Sequence, residues 1–313
     1  MRRPLRIFSG SSNPALAQSI ARHLDVPLGE AKLSRFADGE IYFQILENIR
    51  GADVFVIQST APPVNENLME LLIMLDAFKR SSASRITSVL PYYGYARQDR
   101  KDKPRVPISA KLVADLLSTA GTSRVLTMDL HVGQIQGFFN VPVDHLFAAP
   151  VILEYIGSLR IPNPVIVSPD AGGVERARAY AKRLNVGLAV MDKRRGEENE
   201  VETINVIGEV EGLTAVIVDD IVDSAGTLVK AVEALYLAGA SHVMACASHA
   251  ILSGPALKRV TESRLEQLVV TDSVPLSPEK QSCAKIKVLS VAPLLGQAIR
   301  SIHEETSVSS LFV

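Results

Sequence analysis

Residues Ala215–Thr227 read AVIVDDIVDSAGT, and this stretch decides the architecture. Ala215–Val218 is a short apolar run rich in β-branched residues, the pattern of a buried strand in a parallel sheet. It delivers three carboxylates, Asp219, Asp220 and Asp223, followed by Ser224, Ala225, Gly226 and Thr227. Leu228–Leu237 then resumes at helical spacing, so the polar loop leads straight into a helix N-terminus. Backbone N–H groups and the helix dipole there favour a phosphate. Gly226 lets the backbone approach a ligand, and the hydroxyls of Ser224 and Thr227 add hydrogen bonds. Neighbouring carboxylates accept sugar hydroxyls. A turn whose acids only cap the helix is the plainer alternative. Two adjacent acids, a third acid and a Gly-Thr pair at one strand end favour a sugar-phosphate site over it.

Outward from this loop, Arg6–Ser9, Val54–Gln58, Arg85–Leu90, Val125–Asp129, Val165–Ser168, Leu188–Met191, Val243–Ala247 and Leu268–Thr271 read as further core strands. Glu40–Leu46 reads as an alternating strand. Helical spacing falls between most of them, over Pro14–Leu24 (with Asn13 as N-cap), Asn67–Arg80, Ser109–Thr119, Ala148–Leu159 and Val174–Leu184. Strands alternating with helices predict an α/β protein with parallel sheets. The pattern breaks at Val141–Ala149, which divides the chain into an N-terminal domain, 1–145, a C-terminal domain, 146–300, and a tail, 301–313. In open sheets of this kind ligands bind beyond the C-terminal strand ends. The polar segments sit there: after Leu90, at Met128–His131, after Ser168, after Met191 and after Val218.

The chain has 313 residues, 47% hydrophobic and 21% charged, which is globular rather than disordered composition. A formal net charge of −1 argues against a general nucleic-acid or anionic-membrane surface. No apolar run approaches the roughly 20 residues of a membrane span. The opening MRRPLRIFSGSSNP lacks the apolar stretch of a signal peptide. Two cysteines, Cys246 and Cys283, stand outside any metal-type spacing and suit a reducing cytoplasm.

Pro91–Arg105 reads PYYGYARQDRKDKPR. Its Arg97 can grip phosphate as a planar fork, Gln98 and Asp99 add hydrogen bonding, and Tyr92, Tyr93 and Tyr95 are candidates to face a base. A solvated basic loop is the alternative. Thr127–His131, TMDLH, and Asp170 in VSPDAGG both follow core strands. Because Mg²⁺ on phosphates takes few protein ligands and keeps several waters, His131 and Asp170 are candidate metal ligands. Asp192–Arg195, DKRR, ends another strand, and Lys193 and Arg195 are placed to neutralise a transferring phosphoryl unit. An exposed charged hairpin is the plain alternative. Phe36, Asp38 and Glu40 lie on a loop entering a strand. An aromatic with nearby acids can stack on adenine and accept from its amino group; a hairpin turn with Phe36 in the core competes with that use.

Together these stretches resemble a ribose-phosphate pyrophosphokinase (phosphoribosyl-pyrophosphate, PRPP, synthetase) of class I. The loop at Asp219–Thr227 alone is shared with type I phosphoribosyltransferases. The resemblance also runs through IFSGSSNPALA, RFADGEIYFQI, DVFVIQST, PYYGYARQDRKDKPR, TMDLHVGQIQGFF, VSPDAGGVERA, HAILSGPA, SVAPLLGQAI and HEETSVSSLF, nearly the whole chain. It implies two type I phosphoribosyltransferase-like domains, each with a mainly parallel sheet flanked by helices. It further implies transfer of a diphosphoryl group from Mg·ATP to the 1-hydroxyl of ribose 5-phosphate, giving AMP and PRPP for nucleotide biosynthesis.

Carried over by position, Asp219, Asp220, Asp223, Ser224, Ala225, Gly226 and Thr227 bind ribose 5-phosphate, and His131 and Asp170 hold Mg²⁺. Arg97, Gln98 and Asp99 bind ATP, with Phe36, Asp38 and Glu40 reaching adenine from a neighbouring subunit. Lys193 and Arg195 are the catalytic cations. The resemblance implies a cytoplasmic homo-oligomer, a hexamer, activated by inorganic phosphate and inhibited by ADP. Arg50, Ser81, Ser82, Arg105, Ser309 and Ser310 are the candidate regulatory residues. Two departures stand out: Ala225, where many members have Gly, and Ala171, where many have His. A phosphoribosyltransferase and a catalytically silent regulatory subunit are the competing readings; the retained Lys193, Arg195 and loop acids count against the second.

Overall fold

The computed structural model describes residues 3–194 and 203–311. The chain begins with β1 (Leu5–Ser9), α1 (Pro14–Leu24), β2 (Ala31–Arg35), β3 (Ile41–Ile45), β4 (Asp53–Ile57) and α2 (Val64–Arg80). It continues through β5 (Arg85–Leu90), α3 (Ser109–Ala120), β6 (Arg124–Met128), β7 (Val143–Leu146), α4 (Ala149–Leu159), β8 (Pro164–Ser168) and α5 (Val174–Leu184). Then come β9 (Gly187–Arg194), β10 (Thr203–Ile207), β11 (Thr214–Val222), α6 (Gly226–Leu237), β12 (His242–Ala250) and α7 (Ala256–Glu262). The last elements are β13 (Gln267–Thr271), α8 (Pro278–Gln281), β14 (Ile286–Leu289) and α9 (Ala292–His303).

Packing separates two units, and the separation is not sequential. The first holds the chain up to Phe147 together with Ser273–Pro275 and everything from Ser290 on; the second holds Ala148–Asp272 and Leu276–Leu289. In the first unit a parallel sheet runs in the order β1-β4-β5-β6-β7, and β2 and β3 form a separate antiparallel hairpin. Its inner strand β4, DVFVI, is buried at every position, as a strand covered on both faces must be. Phe8, Val54, Val56, Leu71, Met74 and Phe78 share the core beneath it. At the N-terminus of α1, Asn13 accepts from Leu16 N at 3.3 Å and Pro14 takes the first helical position.

The sequence division placed most of α9 with the second domain; the structure packs it in the first unit. The reason is a buried charge. Asp53 on β4 is fully buried, and a carboxylate there needs charged partners. It accepts from Arg85 Nε at 2.8 Å and meets His303 Nδ1, at the end of α9, at 2.8 Å. Along the same helix a Cβ on Gly296 would stand 2.6 Å from the His23 ring, so glycine lets α9 lie close against α1.

In the second unit the sheet order is β10-β9-β8-β11-β12-β13-β14, parallel throughout except for the β10–β9 pair. Two mainly parallel sheets flanked by helices are the architecture the resemblance implied. The sequence reading ended the central strand at Val218, but β11 runs to Val222 and stays paired with β12 through Val222↔Ala250. Asp219 and Asp220 therefore ride on a strand rather than a loop. Strands β2, β7, β10 and β14 and helices α7 to α9 were not anticipated; β7 lies inside the stretch taken for a domain boundary. No helix of the described residues is long and apolar enough to cross a membrane. Both cysteines are free thiols, and burial pushes that of Cys246 up to about 12.

Candidate active site

The second unit carries the acidic loop. Where β11 ends, Asp223, Ser224 and Ala225 turn the chain into α6. Ala225 is the N-cap at φ +57°, a left-handed conformation that costs a residue with a Cβ about 1–2 kcal/mol. No side chain caps the helix, and no described residue accepts the N–H of Gly226, Thr227 or Leu228. These are the groups an anion would take.

Asp219 Oδ1 accepts from Asp220 N at 2.9 Å, and Arg176 Nη1 lies 3.4 Å from a carboxylate oxygen of each acid. Burial, a side-chain hydrogen bond with Asp220 and the charge of Asp220 push the Asp219 carboxyl up to about 8, against the opposing pull of Arg176 and of the Asp220 backbone N–H. The Asp219 side chain keeps 31% of its surface in solvent, which moderates the push without changing its sign. Asp223 accepts from the Ser253 hydroxyl, and its carbonyl accepts from Ser253 N at 3.0 Å. Arg259 on α7 donates to Ser224 O at 2.9 Å. Arg176 and Ser253 thus hold the acids and Arg259 the loop backbone, three residues that sequence reasoning left unassigned. Arg176 sits two residues after Gly173-Val174, and Ser253 and Arg259 lie in and just beyond HAILSGPA, a stretch quoted above without a role. His249, far away in sequence, is brought opposite Ile221 in the β11–β12 ladder.

At the start of α5, Asp170 Oδ1 accepts from Gly173 N at 3.0 Å, and its other carboxylate oxygen has no partner among the described residues. Lys193 lies on β9. Arg195 lies outside the described residues.

The first unit carries the basic loop. A cleft of about 340 Å³ is lined by Arg97, Gln98, Asp99, Arg100, Asp102, Val106, Pro107 and His131. The three residues assigned to nucleotide and one assigned to metal thus share a single concavity. Gln98 is fixed from behind: its side-chain oxygen accepts from Ser109 Oγ, and its carbonyl accepts from Ala110 N at 3.2 Å. The tyrosines do not serve as expected. Tyr92 and Tyr93 are buried, and Tyr93 donates to Ala110 O at 2.7 Å and packs on Phe139. Burial, with the charge of Asp115, raises its phenol well above the usual range. Tyr95 donates to Asn65. They are structural because three aromatics this close to a core strand find apolar cover before they find a ligand.

Phe36, Asp38 and Glu40 form the turn of the β2–β3 hairpin, where Asp38 Oδ1 accepts from Glu40 N at 3.0 Å and Gly39 sits at φ +96°. Phe36 is 55% exposed and meets the Tyr42 ring edge-on, which excludes a core role. Among the regulatory candidates, Gly51 N donates to Ser82 O at 2.9 Å, bringing Arg50 beside Ser81 and Ser82. Arg105 lies on the cleft loop at φ +65°, and Ser309 N donates to Ser307 Oγ at 3.1 Å in a short 3-10 turn shared with Ser310. No hydrogen bond or ion pair of the described residues joins Arg105 or Ser309 to Arg50, Ser81 or Ser82.

Residues 5–121 match the N-terminal domain of ribose phosphate pyrophosphokinase, and residues 196–313 match the phosphoribosyl synthetase-associated domain. A ribose-phosphate pyrophosphokinase of Caldanaerobacter subterraneus is 57% identical over 309 residues, 98% of each chain. The chain belongs to the ribose-phosphate pyrophosphokinase family. A member from Helicobacter pylori is 54% identical over 99% of this chain and 96% of its own. The crystal structure of a phosphoribosylpyrophosphate synthetase from Mycobacterium smegmatis superposes with a TM-score of 0.92 at 44% identity, covering 97% of this chain and all of the other. Family relatives that span both units leave the phosphoribosyltransferase reading without support.

Proposed function

We propose that this chain makes PRPP by moving the terminal diphosphoryl group of ATP to the 1-hydroxyl of ribose 5-phosphate. Family membership supplies the reaction. The roles of individual residues rest on the chemistry of the two ligand edges. Ribose 5-phosphate is assigned to the second unit, its phosphate on the N–H groups of Gly226, Thr227 and Leu228 and its ring hydroxyls on Asp219 and Asp220. Asp223, tied to Ser253, shapes the turn between them. ATP is assigned to the cleft of Arg97, Gln98 and Asp99, with the exposed Phe36 turn offered to the adenine held by a neighbouring copy in a hexamer.

The observation that carries the assignment is an anion-ready helix N-terminus following two acids on one strand. A hydroxyl donor needs an ionised acceptor, so sugar binding favours loss of the proton that the Asp219–Asp220 pair retains, and Arg176 holds the ionised form in place. The nucleophile is a sugar hydroxyl of high intrinsic pKa. Alignment and charge neutralisation of an in-line transfer therefore carry the reaction, with Arg97, Lys193 and Arg195 supplying cationic charge.

The residues present fit a divalent cation. His131 lines the cleft beside Asp99 and Asp102, and Asp170 has an oxygen to offer. Carboxylate oxygens and an imidazole suit Mg²⁺ on phosphates, which takes few protein ligands and keeps most of its waters. His131 and Asp170 would hold it, and when bound it neutralises phosphate charge. Inorganic phosphate as activator and ADP as inhibitor complete the proposal, with the free thiols at home in a reducing cytoplasm.

³¹P NMR of the protein with Mg·ATP and ribose 5-phosphate, with and without inorganic phosphate, tests it. AMP and a sugar-linked diphosphate should appear only when both substrates are present, faster with phosphate. Absence of both products at every phosphate concentration would leave a silent family member.

A further inference from the structure

We propose that His145 is a positioning residue that sets His131 against the nucleotide cleft by accepting the Leu130 N–H. The inference rests on the reading of the cleft given above. The backbone leaves β6 at Met128 and enters a left-handed conformation at Asp129, φ +40°. A non-glycine residue keeps such a conformation only where its surroundings fix it. Both fixings come from β7. Asp129 N donates to Leu146 O at 2.9 Å, and Leu130 N donates to His145 Nε2 at 2.9 Å. The next residue, His131, lines the cleft.

In the ladder His145 pairs with Thr127, so its ring reaches forward past the end of β6 and stands in for the carbonyl that Leu130 N would otherwise need. Leu130 is itself buried, and a buried N–H without an acceptor is costly. Because a backbone N–H only donates, Nε2 carries the lone pair and Nδ1 the proton, a tautomer assigned from the hydrogen-bond network. The ring is buried and stacked at a tilt on Phe147 with centroids 4.6 Å apart; Gln136 Nε2, 3.3 Å from the protonated Nδ1, is a neighbour there rather than a partner, since that amide donates to Gly133 O at 2.9 Å. A histidine serving only as core filler would need no acceptor aimed at the peptide beside a cleft residue.

The test separates the acceptor from the bulk of the ring. His145→Phe keeps a flat ring against Phe147 and removes the acceptor; His145→Gln places an amide oxygen at the reach of Nε2. With Mn²⁺·ATP titrated calorimetrically in the absence of sugar phosphate, His145→Phe should raise Kd about tenfold, roughly 1.4 kcal/mol. Its KM for ribose 5-phosphate should stay within about twofold, and His145→Gln should stay within about threefold of the parent in both. Parent-like Mn²⁺·ATP affinity in His145→Phe, or a His145→Gln as weak as His145→Phe, overturns the proposal. Should His145→Phe not fold, hydrogen exchange in the parent protein decides: the Leu130 amide should exchange slowly, and exchange at the rate of an open loop overturns it. His131→Ala serves as the reference. If it binds Mn²⁺·ATP normally, the cleft reading itself fails; if it binds weakly while His145→Phe binds normally, only this inference falls.

Discussion

In the proposed reaction the two ligand edges meet the same demand, holding phosphate, with opposite construction. In the second unit the groups come from one run, Asp219–Thr227, carried by a strand that stays paired to Val222 and by the helix that follows. In the first unit they come from separated segments, Arg97–Pro107 and His131, on loops that pass through left-handed backbone at Tyr95, Arg105 and Asp129. A site written in one run inherits its geometry from the strand-to-helix turn. A site assembled from distant loops depends on everything that places those loops: Ser109 on α3 for Gln98, and β7 for His131. The first kind is rigid by default, and the second is tunable by residues that never touch substrate.

The largest expected effect belongs to neither edge. Lys193→Ala should lower turnover by orders of magnitude and leave ribose 5-phosphate affinity intact in an isotope-binding assay. Unchanged turnover would return all of the chemistry to the two edges. Next in size is a crossed pair of variants. Arg97→Ala should raise KM for ATP by about tenfold or more, and Asp220→Asn should do the same for ribose 5-phosphate, each leaving the other constant within about twofold. If either variant moved both constants equally, the division of labour would be wrong.

A smaller effect follows from protonation. Asp219 is raised toward 8, so below that pH the acid pair retains a proton that a sugar hydroxyl must displace. KM for ribose 5-phosphate should therefore fall as pH rises toward 8 and level off above it, while KM for ATP shows no such step. Arg176→Ala removes the charge that opposes the shift, so the step should move to higher pH; a step that stayed in place would detach Arg176 from the pair.

The smallest effect is at Ala225. Relief of about 1–2 kcal/mol of left-handed strain in Ala225→Gly is offset by about 0.8 kcal/mol for the buried methyl and about 0.5–1 kcal/mol of backbone entropy. Calorimetry should find Tm within a few degrees of the parent. A large loss would show that the Ala225 methyl, which packs in the second core, matters more than the strain.

This contrast also explains what the sequence disclosed. Apolar runs bounded by polar turns placed the central strands and most long helices, and the contiguous loop was legible as a polar strand-to-helix turn. Its supports were not, because Arg176, Ser253 and Arg259 reach it only through folding. Strand β7 was hidden because VDHL carries two polar residues whose burial depends on partners elsewhere: Asp144 pairs with Arg124 at 2.6 Å and His145 with Leu130 N. The three tyrosines misled for the converse reason, since an aromatic beside arginines reads alike whether it meets a base or a core.

The return of α9 to the first unit has a consequence for the order in which the protein can be made. A chain emerging from the ribosome exposes all the strands of the first sheet early, yet the Asp53 carboxylate has Arg85 but lacks its hydrogen bond with His303 until that residue has been synthesised. The second unit has its last strand by Leu289, before α9 exists. The half of the molecule that begins first is therefore finished last, and a chain cut short after Leu289 would be born with a buried acid short of one hydrogen-bond partner and one face of α1 uncovered.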